Sequence, residues 1–166
     1  YIADPDSQLQ SIVYWQLGSL AKVDFSSIIA VLPFLIIGTL ILFVLRWHMT
    51  ILSLGDQQAR LEGINVGMEQ LLIITASTFL TAATVCLSGN IGWIGLVIPH
   101  VARLLVGDNT KETLPLAAVI GALFLLIVDT MARSLSAGEI PLSILTGFIG
   151  APLFVYILIK KKVQLN

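Results

Sequence analysis

Two ionisable side chains, His100 and Arg103, sit inside the run GNIGWIGLVIPHVARLLVG from Gly89 to Gly107, which is otherwise apolar. A histidine in such a place can relay protons or bind a metal, and an ionisable group within a membrane must face protein or a wet cavity. A metal site needs further ligands, and no second His, Cys or carboxylate lies in this segment at ligand spacing. Proton relay aside, the residues read as structural: Pro99 removes a backbone donor and frees a carbonyl one turn earlier, so Pro99 and His100 shape helix contacts. Ser88 and His100 together raise an intramembrane hydrolase. No GxSxG surrounds the serine, and about three helical turns separate the two, too far for a hydrogen bond within one helix. No P-loop occurs, so no nucleotide is hydrolysed by this chain. The residues thus give no catalytic group, no metal site and no bound cofactor.

Three further groupings carry polar or backbone chemistry. Asp129 and Arg133 are four apart and share a helical face, the spacing of an intrahelical ion pair. The stretch SLGDQQARLEGINVGME, from Ser53 to Glu69, is polar, and Gly55, Gly63 and Gly67 frame a helix of about two turns between Asp56 and Glu62. Gly89, Gly92 and Gly95 recur one helical turn apart, leaving a smooth strip for close backbone approach.

These residues must be positioned by membrane helices. Of 166 residues 57% are hydrophobic and 11% charged, a composition outside the soluble range. Nine basic residues against ten acidic ones leave no basic surface for nucleic acid. The single cysteine, Cys86, reads as a small core filler. Residues 1–27 form an external segment with a short interfacial helix, Leu9 to Leu17, where Tyr14 and Trp15 suit the water–lipid boundary. Residues 28–166 form the membrane domain, with spans at about 28–45, 71–88, 91–106, 114–132 and 142–159 and a cytoplasmic loop at 53–69.

The first span is uncharged, reaches about 27 Å at 1.5 Å per residue, carries Pro33, and ends at Arg46, Trp47 and His48. Ala, Ser and Thr in the second let helices approach and hydrogen-bond across the contact. Ala118 and Ala122 are spaced as a small-residue contact in the fourth. Gly147, Gly150 and Pro152 predict a short helix in the last segment, a bend near Gly150 to Pro152, and then the main span.

With the first span running inward, Arg46, Arg60, Arg103, Lys111 and Lys160 to Lys162 fall on the cytoplasmic side, and Lys22 and Arg133 outside. Seven against two is a positive-inside bias that puts the C-terminus in the cytoplasm. The start, YIADPDSQLQ, lacks both an initiating methionine and the pattern of a signal peptide, so the chain reads as part of a longer membrane protein.

The segments LGDQQARLEG at 54–63, SGNIGWIGLVIPHVARLLVG at 88–107 and EIPLSILTGFIGAPLFVYILIKK at 139–161 resemble the permease subunit of ABC importers for iron-siderophore complexes, haem and cobalamin. The likeness runs over essentially the whole chain. It implies an all-α polytopic membrane protein of five transmembrane helices, short external helices and a cytoplasmic coupling helix, the second half of a ten-span permease. It implies a multi-pass protein of the bacterial or archaeal cytoplasmic (inner) membrane that carries a metal chelate, or a small oxyanion such as molybdate, inward. Implied partners are cytoplasmic ATP-binding subunits, which use ATP and Mg, a periplasmic or extracellular substrate-binding protein, a second permease subunit, identical or related, and the lipid bilayer. By resemblance Leu54, Gly55, Asp56, Gln57, Gln58, Ala59, Arg60, Leu61, Glu62 and Gly63 couple to the ATPase. Arg133, next to Asp129 and before Glu139, would dock the binding protein. Gly147 and Gly150 are either hinges or close-packing residues of a half-helix beside the translocation path, with packing favoured. A passive scaffold or channel is the rival from another class.

Overall fold

A computed structural model describes residues 8–21, 23–135 and 140–164. Asp4, Pro5, Asp6, Lys22 and Glu139 lie outside the described residues, as do the side chains of Tyr14 and of Lys160 to Lys162. Seven helices follow one another: α1 (Gln8–Leu17), α2 (Phe25–Leu52), α3 (Asp56–Leu61), α4 (Val66–Ser88), α5 (Ile94–Val106), α6 (Thr110–Leu135) and α7 (Leu142–Gln164). The described residues contain no strand. In length and composition α2, α4 and α6 can cross a membrane, whereas α5 and the stretch Leu142–Ile157 of α7 are shorter apolar helices. Most apolar side chains of the long helices point outward. Their solvent is lipid or further helices, not water.

Helix boundaries follow backbone bonding more than the apolar runs. α2 starts behind an Asp24 cap and does not stop at Arg46, Trp47 and His48, where the sequence predicts its end. Each of those residues has a local partner: the Arg46 guanidinium lies 4.0 Å over the Phe43 ring, Lys111 reaches the Trp47 ring, and His48 faces Glu69. Polar side chains satisfied in this way do not end a helix. Likewise the polar stretch up to Glu69 is not all loop, because Asn65 caps α4 by accepting from the Met68 amide and the helix begins at Val66.

α2 and α4 form an antiparallel hairpin around α3. Gly38 admits Leu80, whose Cγ would lie 2.7 Å from a Cβ at that glycine, and Phe34 stacks on Phe79. The α4 hydroxyls do not bridge helices as expected. Ser77, Thr78, Thr81, Thr84 and Ser88 all donate to carbonyls three or four residues back in α4 itself. In an apolar medium the nearest acceptor is a residue's own helix. Ala118 and Ala122 are exposed, and it is Gly121 that faces α5, with Ile98 Cγ2 3.7 Å from its would-be Cβ.

α5 and α7 run parallel, and α6 packs on both. Val128, Ala132 and Leu142 form the buried cluster there, with Phe124, Leu145 and Ile149 around it. The short helix and main span expected in the last segment are one continuous helix, which runs through Gly150 and Pro152. A proline removes one intrahelical bond and strains its turn; in this 23-residue helix the remaining ladder carries the chain past it.

Candidate functional site

Functional interest concentrates at the end of the hairpin where α3 sits. Gly55 (φ 111°) starts α3 and Gly63 (φ 79°) ends it, both in backbone regions that favour glycine. The exit is a Schellman turn: the Ile64 amide donates to Ala59 O (3.0 Å) and the Gly63 amide to Arg60 O (3.1 Å). Ala59 is 0% exposed and packs with Ile51 in the last turn of α2, Ile64 in the α3–α4 connection and Val66 at the start of α4. Asp56 in the first turn and Arg60 in the last complement the helix dipole.

Everything else on α3 faces outward. Gln57, Gln58, Arg60 and Glu62 are exposed, and Leu54 and Leu61 are 70% and 82% exposed. A buried alanine and two glycine turns therefore hold a rigid knob with a polar face edged by two leucines. Beside it lies a groove of about 540 Å³ lined by Met49, Ser53, Leu54, Pro99, Arg103 and Asp108. Arg103 lies 3.9 Å from Asp108 at its exposed rim. Thr50 fastens α2 to α6, its hydroxyl accepting from the Thr110 amide at 3.1 Å.

At the opposite end three backbone segments meet: the exit of α1, the α4–α5 connection and the start of α7. The Asn90 amide donates to Trp15 O, the Ser19 amide to Ser88 O, and the Leu142 amide to Gly18 O. Gly89 allows this junction, since a Cβ there would lie 2.2 Å from Trp15 O. Arg133 is near this end. Its Nε donates to Asp129 Oδ2 at 2.9 Å, so the intrahelical pair forms. Asp24, the α2 cap, has its carboxyl lowered to about 2 by hydrogen bonds from the Ser27 hydroxyl, then the Ser26 hydroxyl and the Ser27 amide.

The opening glycines do not make one helical strip. Gly89 ends α4 and Gly92 lies in the connection, where its amide donates to Ser143 Oγ. Only Gly95 is within α5, and no atom lies within 4 Å of its would-be Cβ. The helix starts too late for the periodicity to apply. His100 donates from Nδ1 to Leu96 O (2.8 Å) and its ring stands edge-on to Phe154 of α7. Pro99 lines the groove, and Pro152 is exposed in α7.

Gly147 and Gly150 both lie under Trp93. A Cβ at Gly147 would be 3.1 Å from Trp93 Nε1, and one at Gly150 would be 3.1 Å from Trp93 Cβ and 3.3 Å from Val97 Cγ2. Trp93 caps α5 with φ 68°, an uncommon backbone for a bulky residue. Neither this anchor nor the facing of His48 and Glu69 is visible in the sequence, because each joins residues of different helices. The glycine pair spaced by three in α7 is the only local sign of the Trp93 seat.

Residues 1–160 match the FecCD transport family. The chain is 43% identical over 163 residues to a molybdate import system permease protein of Haemophilus influenzae, covering 98% of this chain and 48% of that one. It is 39% identical over 166 residues to a hemin transport system permease protein of Yersinia pestis, covering 99% and 49%. Among solved structures it superposes with a TM-score of 0.88 and 42% identity on a protein assigned to the metal-chelate type of ABC transporter, in an inward-facing conformation, covering 96% of this chain and 52% of that one. The chain thus spans about half the length of the curated relatives it matches. The likenesses in sequence and in backbone agree, and this chain belongs to the FecCD transport family.

Proposed function

We propose that this multi-pass membrane chain is part of the permease subunit of an ATP-driven importer, and that α3 is the knob through which a cytoplasmic ATPase drives the helices. The observation that carries this reading is the seating of α3. Its one buried side chain, Ala59, touches the last turn of α2 and the first of α4, so a push on the exposed face is delivered to both helices. ATP and Mg belong to the partner subunits. The relatives bear permease names, and the hydrolase and passive-channel readings have no feature of comparable specificity in their favour.

Charge supports the orientation. Arg46, Arg60, Arg103 and Lys111 lie at the α3 end and Arg133 at the other, so the α3 end is cytoplasmic and Arg133 faces outside. That is the side on which a substrate-binding protein docks, and Arg133, half-exposed, is available to an acidic lobe of it. A second permease subunit and the bacterial or archaeal inner membrane complete the assembly.

The cargo we favour is a metal chelate, supported by the names of the hemin permease and of the metal-chelate type transporter this chain resembles. The 43% identity to a molybdate permease favours a small oxyanion as the second reading. Binding assays on the cognate binding protein with haem, cobalamin, ferric chelates and molybdate decide between them. The coupling role is tested by deleting 56–62 from the full-length permease and measuring uptake and ATP hydrolysis in proteoliposomes. Hydrolysis without uptake is expected; uptake per ATP equal to that of the intact protein would sink the proposal.

A further inference from the structure

His48 of α2 and Glu69 of α4 face each other where the two helices flank α3. His48 Nδ1 lies 3.0 Å from Glu69 Oε1, at contact distance but off the direction of a hydrogen bond. Both His48 Nδ1 and Glu69 Oε2 are buried atoms without a hydrogen-bond partner. Among the described residues this is the only polar contact between α2 and α4; Gly38 against Leu80 and Phe34 against Phe79 are apolar. The side chains are partly exposed but their unpaired atoms are buried, and such a contact with imperfect geometry adds little stability, yet it discriminates between helix settings, because the low local dielectric magnifies a small change of angle.

Its position gives that discrimination a use. Ile51 follows His48 by one helical turn, and Val66 precedes Glu69 by one. Ile51 and Val66 are two of the residues that seat Ala59. The pair, the apolar cluster and α3 are thus stacked in order along the hairpin, and rotating either helix to complete or open the polar contact carries the seat of α3 with it.

We propose that His48 and Glu69 are positioning residues, a latch between α2 and α4 whose closed and loosened forms correspond to two seatings of α3. The latch rests on the reading of α3 as the ATPase contact.

The test uses the full-length permease with its ATPase in proteoliposomes, with His48→Leu, Glu69→Leu and His48→Asn, the last keeping a donor near the place of Nδ1. Two quantities are read: substrate moved per ATP hydrolysed, and the distance between spin labels at Gln58 on α3 and Leu71 on α4, both exposed sites. The leucine variants are expected to lower the ratio by roughly twofold to thirtyfold, the range for residues that modulate coupling without touching a ligand, and to shift or broaden the distance. His48→Asn is expected to retain both. Should a single leucine variant fail to assemble, the double variant His48→Leu/Glu69→Leu leaves no orphaned polar atom and takes its place, with the same expected loss. An unchanged distance overturns the latch. A changed distance with an unchanged ratio upholds the latch as geometry and overturns α3 as the ATPase contact, so the two readings fail separately.

Discussion

Replacing Gly63 by alanine isolates what the exit turn of α3 contributes. Gly63 has φ 79°, and a Cβ there would meet no atom within 4 Å, so the substitution creates no clash and removes no contact. Its cost is the backbone alone: about 1–2 kcal/mol for an L side chain held in the left-handed region. A stiffer unfolded chain offsets about 0.4–1 kcal/mol of that. Taking the middle of each range, the net is about 0.8 kcal/mol, about a fourfold loss in the population of the seated turn. A helix of six residues has no stability of its own, so loosening the Ile64 and Gly63 bonds frees α3 as a unit.

Gly67 is the control, lying in the first turn of α4 with Asn65 Oδ1 3.9 Å from its would-be Cβ. There alanine is expected to stabilise by about 0.5–1 kcal/mol, the usual helix-interior gain over glycine. Spin labels at Gln58 report the mobility of α3 directly. Gly63→Ala should mobilise the label and Gly67→Ala should not. Equal spectra for both variants, with no narrowing of the lines for Gly63→Ala, would refute the claim that the left-handed turn holds the knob.

Gly150→Val overfills the Trp93 seat and is expected to destabilise by about 1–3 kcal/mol, seen as a lower thermal midpoint in detergent, while Gly95→Ala, in open space at the second position of α5, should stabilise slightly, as Gly67→Ala does. Asp24 stabilises the fold in its charged state. Because its folded value is lowered from 3.8 to about 2, that contribution is complete above the unfolded value and disappears as pH falls from about 3.8 through about 2; Asp24→Asn should lack this pH dependence in the same melting assay. Arg133→Ala should change stability by only about 0.2–0.5 kcal/mol. On the proposed docking role it should also weaken binding-protein capture more at low salt than at high salt, measured by surface plasmon resonance.

The short helix between Gly55 and Gly63 was legible because glycine at a helix end is a local requirement, written at the position where it acts. The apolar segments were legible for the same kind of reason, since each residue meets its own surroundings. What failed was reading their ends from polarity: Arg46, Trp47 and His48 stay helical once Phe43, Lys111 and Glu69 are beside them. Hydrogen bonding across α4 failed too, because its hydroxyls turn back on their own helix. Gly150 and Pro152 predicted two helical pieces in the last segment, a division that one lost backbone bond does not enforce.

The sequence by itself determined that this is a helical membrane protein, which family pattern it follows, and where a polar knob interrupts the apolar chain. Those depend on composition and on signals a few residues long. Only the tertiary structure decided that Ala59 is the buried foot of that knob, that Trp93 occupies the groove above Gly147 and Gly150, and that His48 faces Glu69. Each of these joins residues far apart in the chain, and the relative placement of packed helices, which no single segment encodes, sets which side chains meet.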